Sequence, residues 1–346
     1  MKTTWLVGMG ALALLGCSSA RNNSNNNSDG SISQKGDMAI SANCTAAKRQ
    51  FVADQVLLPT SGLATDPTAY GFDFNGDESP ENKLGALLAL INSLSSSAGS
   101  PQSAVDTAIK DTGTFLILME VTGDSLVDSQ CASVEVATAL PKMMPPLDGT
   151  GIFVQSAYKS SLPGTILAGA LATTSPLGTT TPPTIQVKLP FATGSAPVDL
   201  TLTAAVVHGN IDATTPSIAE GRIYGAVKNS DLRDKTLPAI AKSLTTILKG
   251  NFDATTQDAI RNLLDKGNCG TAVAKDNVID TCELTDGTLS SAFTPDLDLY
   301  SDTGRDADGN VVGTYGTYAP KPSAENSLDN DCLSFGVAFT AVGAQF

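Results

Sequence analysis

One histidine and one tryptophan in 346 residues are the first limits on what this chain can do. A structural zinc site wants four closely spaced cysteine or histidine ligands; here no C-x-x-C pair accompanies the lone His208, so zinc is excluded. Any serine or cysteine mechanism that needs an imidazole would have to run through that same residue. No G-x-S-x-G elbow is present to use it, and His208 reads as an ordinary strand-end histidine sharing the parity of Val198 to Val206. No apolar run approaches the roughly 18 residues of a transmembrane helix. Basic residues are also scarce: 21 Lys and Arg stand against 35 Asp and Glu, a net charge of -14. Such a surface repels nucleic acid and anionic lipid and favours cations or basic partners.

The N-terminus does carry a signal. Lys2 precedes the short apolar run Trp5 to Leu15, bounded like the core of a signal peptide. It ends in Leu14-Leu15-Gly16-Cys17, which resembles the lipobox of bacterial lipoproteins. The resemblance implies that residues 1–16 are removed and that Cys17 carries covalent lipid, with palmitate-type chains. More than one chain makes such attachment stable rather than reversible. Ser18, not Asp, follows, which by the same resemblance implies the outer membrane of the cell envelope, with the periplasmic or surface face left open. Trp5 leaves with the peptide, so the mature protein has no Trp platform for a sugar ring. Residues 17–40 include the polar run Arg21 to Gly30, which cannot bury apolar area and is expected to be a disordered tether.

With Cys17 lipidated, Cys44, Cys131, Cys269, Cys282 and Cys332 remain. An odd number in an oxidising compartment predicts two disulfides and one free or mobile thiol. Cys269 and Cys282 bracket a polar loop and form the most economical pair; the pairing of the others is open.

Residues 41–346 read as one β-rich domain with helical insertions at about 82–111 and 234–267. Leu84, Leu87, Leu88, Ile91 and Leu94 share a helical face, and Ser100-Pro101 supplies a cap and first-turn proline for a second helix. Phe115 to Met119 is a continuous apolar run of strand length, and Ile185 to Leu189, Val198 to Val206 and Leu333 to Phe339 alternate. Leu237 to Leu248 is a second amphipathic helix; Thr255 with Asp258 suggests the capping box of a third. Runs of strands with separate helices predict a mainly β (α+β) fold, an antiparallel β-sandwich with packed helices.

Three patterns could carry chemistry. Ser156-Ala157-Tyr158-Lys159 matches the S-x-x-K of penicillin-binding proteins, without their K-T-G strand. Asp111-Thr112-Gly113 and Asp302-Thr303-Gly304 resemble the paired turns of pepsin-like aspartic peptidases, implying a surface hydrolase in which Asp111 and Asp302 share a proton. Asp73-Phe74-Asn75-Gly76-Asp77, followed by Glu81, resembles the loops of EF-hand, dockerin and thrombospondin type-3 calcium sites. Asp73, Asn75, Asp77 and Glu81 fall at loop positions 1, 3, 5 and 9, but Glu78 stands where glycine makes the bend and Leu84 where a carboxylate closes the shell. Asp306, Asp308 and Asn310, and Asp329 with Asp331, repeat the acidic pattern before the last strand. The ends of the chain are similar to lipoproteins of the deltaproteobacterial type, which implies anchoring and no particular activity. The favoured expectation is an envelope lipoprotein with a non-catalytic binding or structural role, stabilised by disulfides and calcium; the alternative is the hydrolase.

Overall fold

The computed structural model describes residues 47–59, 70–74, 78–94, 100–140, 145–174, 182–191, 197–250, 254–265, 275–285, 293–301, 303–304, 315–321 and 329–346. The signal-peptide and tether expectations, Cys17, Cys44, Cys269, Asn75, Asp77 and Asp302 lie outside them. All described residues belong to one unit, Asp37–Phe346.

Strand β1 (Ala47–Leu57) leads through helices α1 (Lys83–Leu94) and α2 (Pro101–Lys110) into a meander of β2 (Ile117–Gly123), β3 (Ser129–Ala139), β4 (Gln155–Leu167) and β5 (Ala170–Thr173). Next come β6 (Thr184–Leu189), β7 (Val198–Asp212) and β8 (Ser217–Lys228). A helical block follows: α3 (Asn229–Asp231), a π turn (Leu232–Thr236), α4 (Leu237–Lys249), α5 (Ala254–Leu263) and α6 (Thr281–Thr285). A small hairpin, β9 (Asp298–Tyr300) with β10 (Tyr318–Lys321), precedes the last strand, β11 (Cys332–Gly343).

Eight strands close into an antiparallel barrel in the cyclic order β1-β2-β3-β4-β5-β7-β8-β11, with Ala170 to Ala172 of β5 meeting Asn210 to His208 of β7. The expected sandwich is therefore wrong. Alternating burial has the same period of two in both architectures. What distinguishes them is whether the end strands meet, and here that depends on a short pairing between residues far apart in sequence. β6 adds a ninth strand along the first half of β7.

Bulges permit the closure. Ala204 and Glu220 both sit at φ 51, and the ladder slips between Thr203 and Val206 and between Phe339 and Ala341. Each extra residue bends the strand and reverses its inward parity. Leu200 and Leu202 thus share the central core with Ala205 and Val207, while Ala204 and Val206 pack into a second, outer cluster. The uniform parity read along Val198 to His208 breaks at Ala204 for this reason. The core is tightly filled: a Cβ on Gly221 would come within 2.5 Å of the Phe339 ring.

Both helical insertions leave from one end of the barrel, after the C-termini of β1 and β8, which run in the same direction. Ser100 caps α2 by accepting Ser103 N at 3.2 Å, and Gln102 ties the helix to β1 by donating to Val56 O and accepting from Leu58 N. The π turn has a local cause. Pro238 has no N–H and its ring crowds the carbonyl four residues back, so the helix widens before it. Thr255 lies within α5 rather than capping it, because the helix already begins at Ala254. The opposite end of the barrel carries Ala47, the start of β1, and the turns β2–β3, β4–β5 and β7–β8.

Candidate functional site

The acidic loop before α1 is closed by an antiparallel bridge, Phe72 N to Glu81 O at 3.3 Å and Glu81 N to Phe72 O at 3.2 Å. Asp73 Oδ2 accepts Glu78 N at 2.9 Å, and Glu81 Oε2 accepts Phe74 N at 3.2 Å. Glu78 adopts φ 68, so the left-handed bend that glycine makes in calcium loops is made here without one. Two of the expected ligands, Asp73 and Glu81, thus stand at one closed loop. Among the described residues no group of three or more His, Cys, Asp or Glu gathers in metal-binding geometry.

The loop is held against the outer wall of the barrel. Phe72 meets Phe74 and Tyr224 with ring centroids 5.0 Å apart, and His208 meets Phe72 and Tyr224 edge-on at 5.8 and 5.5 Å. The Arg222 guanidinium lies 4.9 Å from the centre of the Tyr70 ring. Burial among these groups pushes the His208 imidazole down to about 4, so it is neutral at neutral pH. Among the described residues no serine, cysteine or carboxylate is hydrogen-bonded to it.

Further along the same face the hairpin β9–β10 covers the start of β11 over a buried polar clamp. Asp331 accepts Leu299 N at 3.1 Å, Tyr300 N at 3.0 Å and the Thr303 hydroxyl at 3.2 Å. Asp296 accepts both the backbone N–H and the hydroxyl of Ser334, whose oxygen in turn accepts Lys83 N. Lys228 Nζ sits 4.6 and 4.5 Å from the ring centres of Tyr300 and Tyr315. Burial raises the pKa of both aspartates, pushes Tyr315 up to about 12 and lifts Cys332 well above the ordinary thiol range. A thiol so held is protonated and inert. The clamp fastens the hairpin to the barrel. Its sequence signal was the pair Asp329 and Asp331 before the last strand, but nothing marked Asp296 or Lys228 as their neighbours.

The other singled-out residues are scattered. Asp111-Thr112-Gly113 is the stop signal of α2: Asp111 N and Thr112 N both donate to Thr107 O, at 2.9 and 3.1 Å, and Gly113 turns left-handed at φ 60. Asp111 is exposed there. Ser156 and Lys159 lie in β4 where its ladder with β3 slips, between Gln155 and Lys159, and each has its own partner. Ser156 donates to Tyr158 O, while Lys159 pairs with Glu135 at 2.8 Å. Cys131 and Cys282 each take part in a disulfide, and Cys332 is free and buried.

One outward row across the meander is charged, while the next row on that face, Val52, Leu118 and Ala137, is apolar and buried. Lys48 pairs with Glu120 at 2.8 Å, Glu120 stands opposite Glu135, and Lys159 completes the row from the far side. Among the described residues no helix is long and apolar enough to cross a membrane. No protein-family model, characterised protein or solved structure matches the chain.

Proposed function

We propose that this chain is a lipid-anchored protein of the bacterial cell envelope, sorted to the outer membrane, whose barrel is a non-catalytic binding or structural head. The observation that carries the reading is Leu14-Leu15-Gly16-Cys17 behind a short apolar core and a basic start. The barrel adds support. A barrel that spans a bilayer presents an apolar band outward, whereas here one outward row is Lys48, Glu120, Glu135 and Lys159 over an apolar interior. A head of this kind needs an anchor to stay at a membrane. The test is metabolic labelling with a fatty acid: the native chain takes up label and fractionates with membranes, and Cys17→Ser takes up none and keeps its signal peptide.

Calcium belongs to the same proposal. Asp73, Asn75, Asp77 and Glu81 would supply the oxygens, and the left-handed Glu78 favours the loop shape. So few carboxylates imply weak binding, on the order of 0.1 to 1 mM. Millimolar calcium should raise the melting temperature of the native chain but not of an Asp73→Ala, Asp77→Ala variant; a native chain indifferent to calcium overturns this part.

A further inference from the structure

We propose that the barrel end carrying Ala47 rests on the bilayer through an apolar tip formed by Val127 and the β4–β5 turn, a contact that builds on the reading of Cys17 as the anchor. The turn is Leu167-Ala168-Gly169-Ala170, four residues without one polar side chain. Leu167 is 64% exposed, and Ala168 and Ala170 are exposed beside it. Val127, in the neighbouring β2–β3 turn, is 50% exposed.

The tip is rigid. Gly169 N donates to Val127 O and Ala168 N to Asp128 Oδ1, at 2.8 and 2.9 Å, while Ile211 N of β7 donates to Gly169 O at 2.8 Å. Its chemistry runs against the geometry of the turn. Ala168 and Gly169 have φ 49 and 82, a two-residue hairpin turn whose first position favours Asn or Asp. An alanine there accepts a left-handed backbone and leaves the tip apolar.

The position of the chain's start names the occupant. β1 begins at Ala47, paired with Gly123 next to the β2–β3 turn, so the segment from Cys17 enters the barrel at this end. Twenty-nine residues lie between Cys17 and Ala47 and span at most about 100 Å. Anchored at that range, a surface meets the membrane at high effective concentration, and a weak apolar contact becomes populated. Asp124, Asp128 and Asp212 at the same end outnumber Lys48 and Arg49. The contact is therefore with neutral headgroups and is weakened by anionic lipid.

The test uses the full lipidated protein in phosphatidylcholine vesicles, with an environment-sensitive fluorophore on Leu167→Cys and, as control, on Lys110→Cys at the far end of α2. Cys332 is buried and is not labelled in the native protein. The proposal expects blue-shifted emission at 167 and several-fold stronger quenching by brominated acyl chains than at 110. Replacing part of the phosphatidylcholine with phosphatidylglycerol should reduce the difference. Protein that floats with the vesicles but shows equal quenching at the two positions overturns the tip contact and leaves the anchor standing. Protein that does not float overturns both.

Discussion

Asn82 joins the first helix to the last strand through one carboxamide. Its Oδ1 accepts Gly85 N at 3.1 Å, capping α1, and Gly336 N at 2.9 Å; its Nδ2 donates to Gly336 O at 3.1 Å. β1 ends opposite Ala338, so the side chain takes the ladder position that the next pair of strand residues would fill. Gly85 makes room for the carboxamide, since a Cβ there would come within 2.4 Å of Asn82 Oδ1, and Gly336 makes room for Tyr70 O beside it. Asn82→Ala leaves buried backbone groups unpaired and should lower stability by about 3 kcal/mol in urea denaturation. Asn82→Asp keeps the acceptor, loses the donor to Gly336 O, and should fall between. His208 gives a second residue-scale prediction. Its folded pKa, about 4, lies below the 6.5 of an unfolded histidine, so between those values the unfolded chain holds the extra proton. Stability from this residue is complete above pH 6.5, is lost as pH falls, and levels off below 4, a change of at most about 3 kcal/mol. Asp296 and Asp331, with raised values, act in the opposite sense. The comparison that isolates the histidine is His208→Phe against the native chain: the variant should lose less stability between pH 7 and 4, and an equal slope would contradict the assignment.

At the scale of elements, the strands and helices were largely legible and their bends were not. Period-two alternation marks β6, β7 and β11, and Ser100-Pro101 marks the start of α2, because these signals are local. The bulges at Ala204 and Glu220 carry no such mark. Neither residue favours a left-handed backbone, and each holds it because the barrel wall must bend there. The β4–β5 turn shows the same conflict in exposed form. Ala168 at φ 49 touches little, so its strain is measurable directly: Ala168→Asn should stabilise the protein by about 0.5 to 1 kcal/mol. A melting temperature that falls instead would show that the alanine is held by contacts beyond its turn. The triplet at Asp111 has two readings for a related reason. Asp-Thr-Gly suits a helix stop as well as a catalytic turn, and at Asp111 the local hydrogen bonds use it as the stop.

For the whole molecule, the limit of the sequence was closure. Ala170 to Ala172 against His208 to Asn210 turns an open antiparallel sheet into a barrel, and no residue in either segment announces its partner. The buried clamp of Asp296, Asp331 and Ser334 was hidden likewise, since its members meet only when the β9–β10 hairpin lies on β11. The N-terminal address is the reverse case. The signal that residues 1–17 resemble is linear, and the proposal reads it without any fold. The proposed function joins the two: a water-facing barrel, acidic overall, kept at the envelope by lipid. Intact-mass measurement of the protein purified from membranes tests that claim most directly. The account predicts a chain beginning at Cys17, heavier than its residues by a diacylglyceryl group and an amide-linked acyl chain. A mature chain that begins elsewhere, or carries an unmodified Cys17, would contradict it.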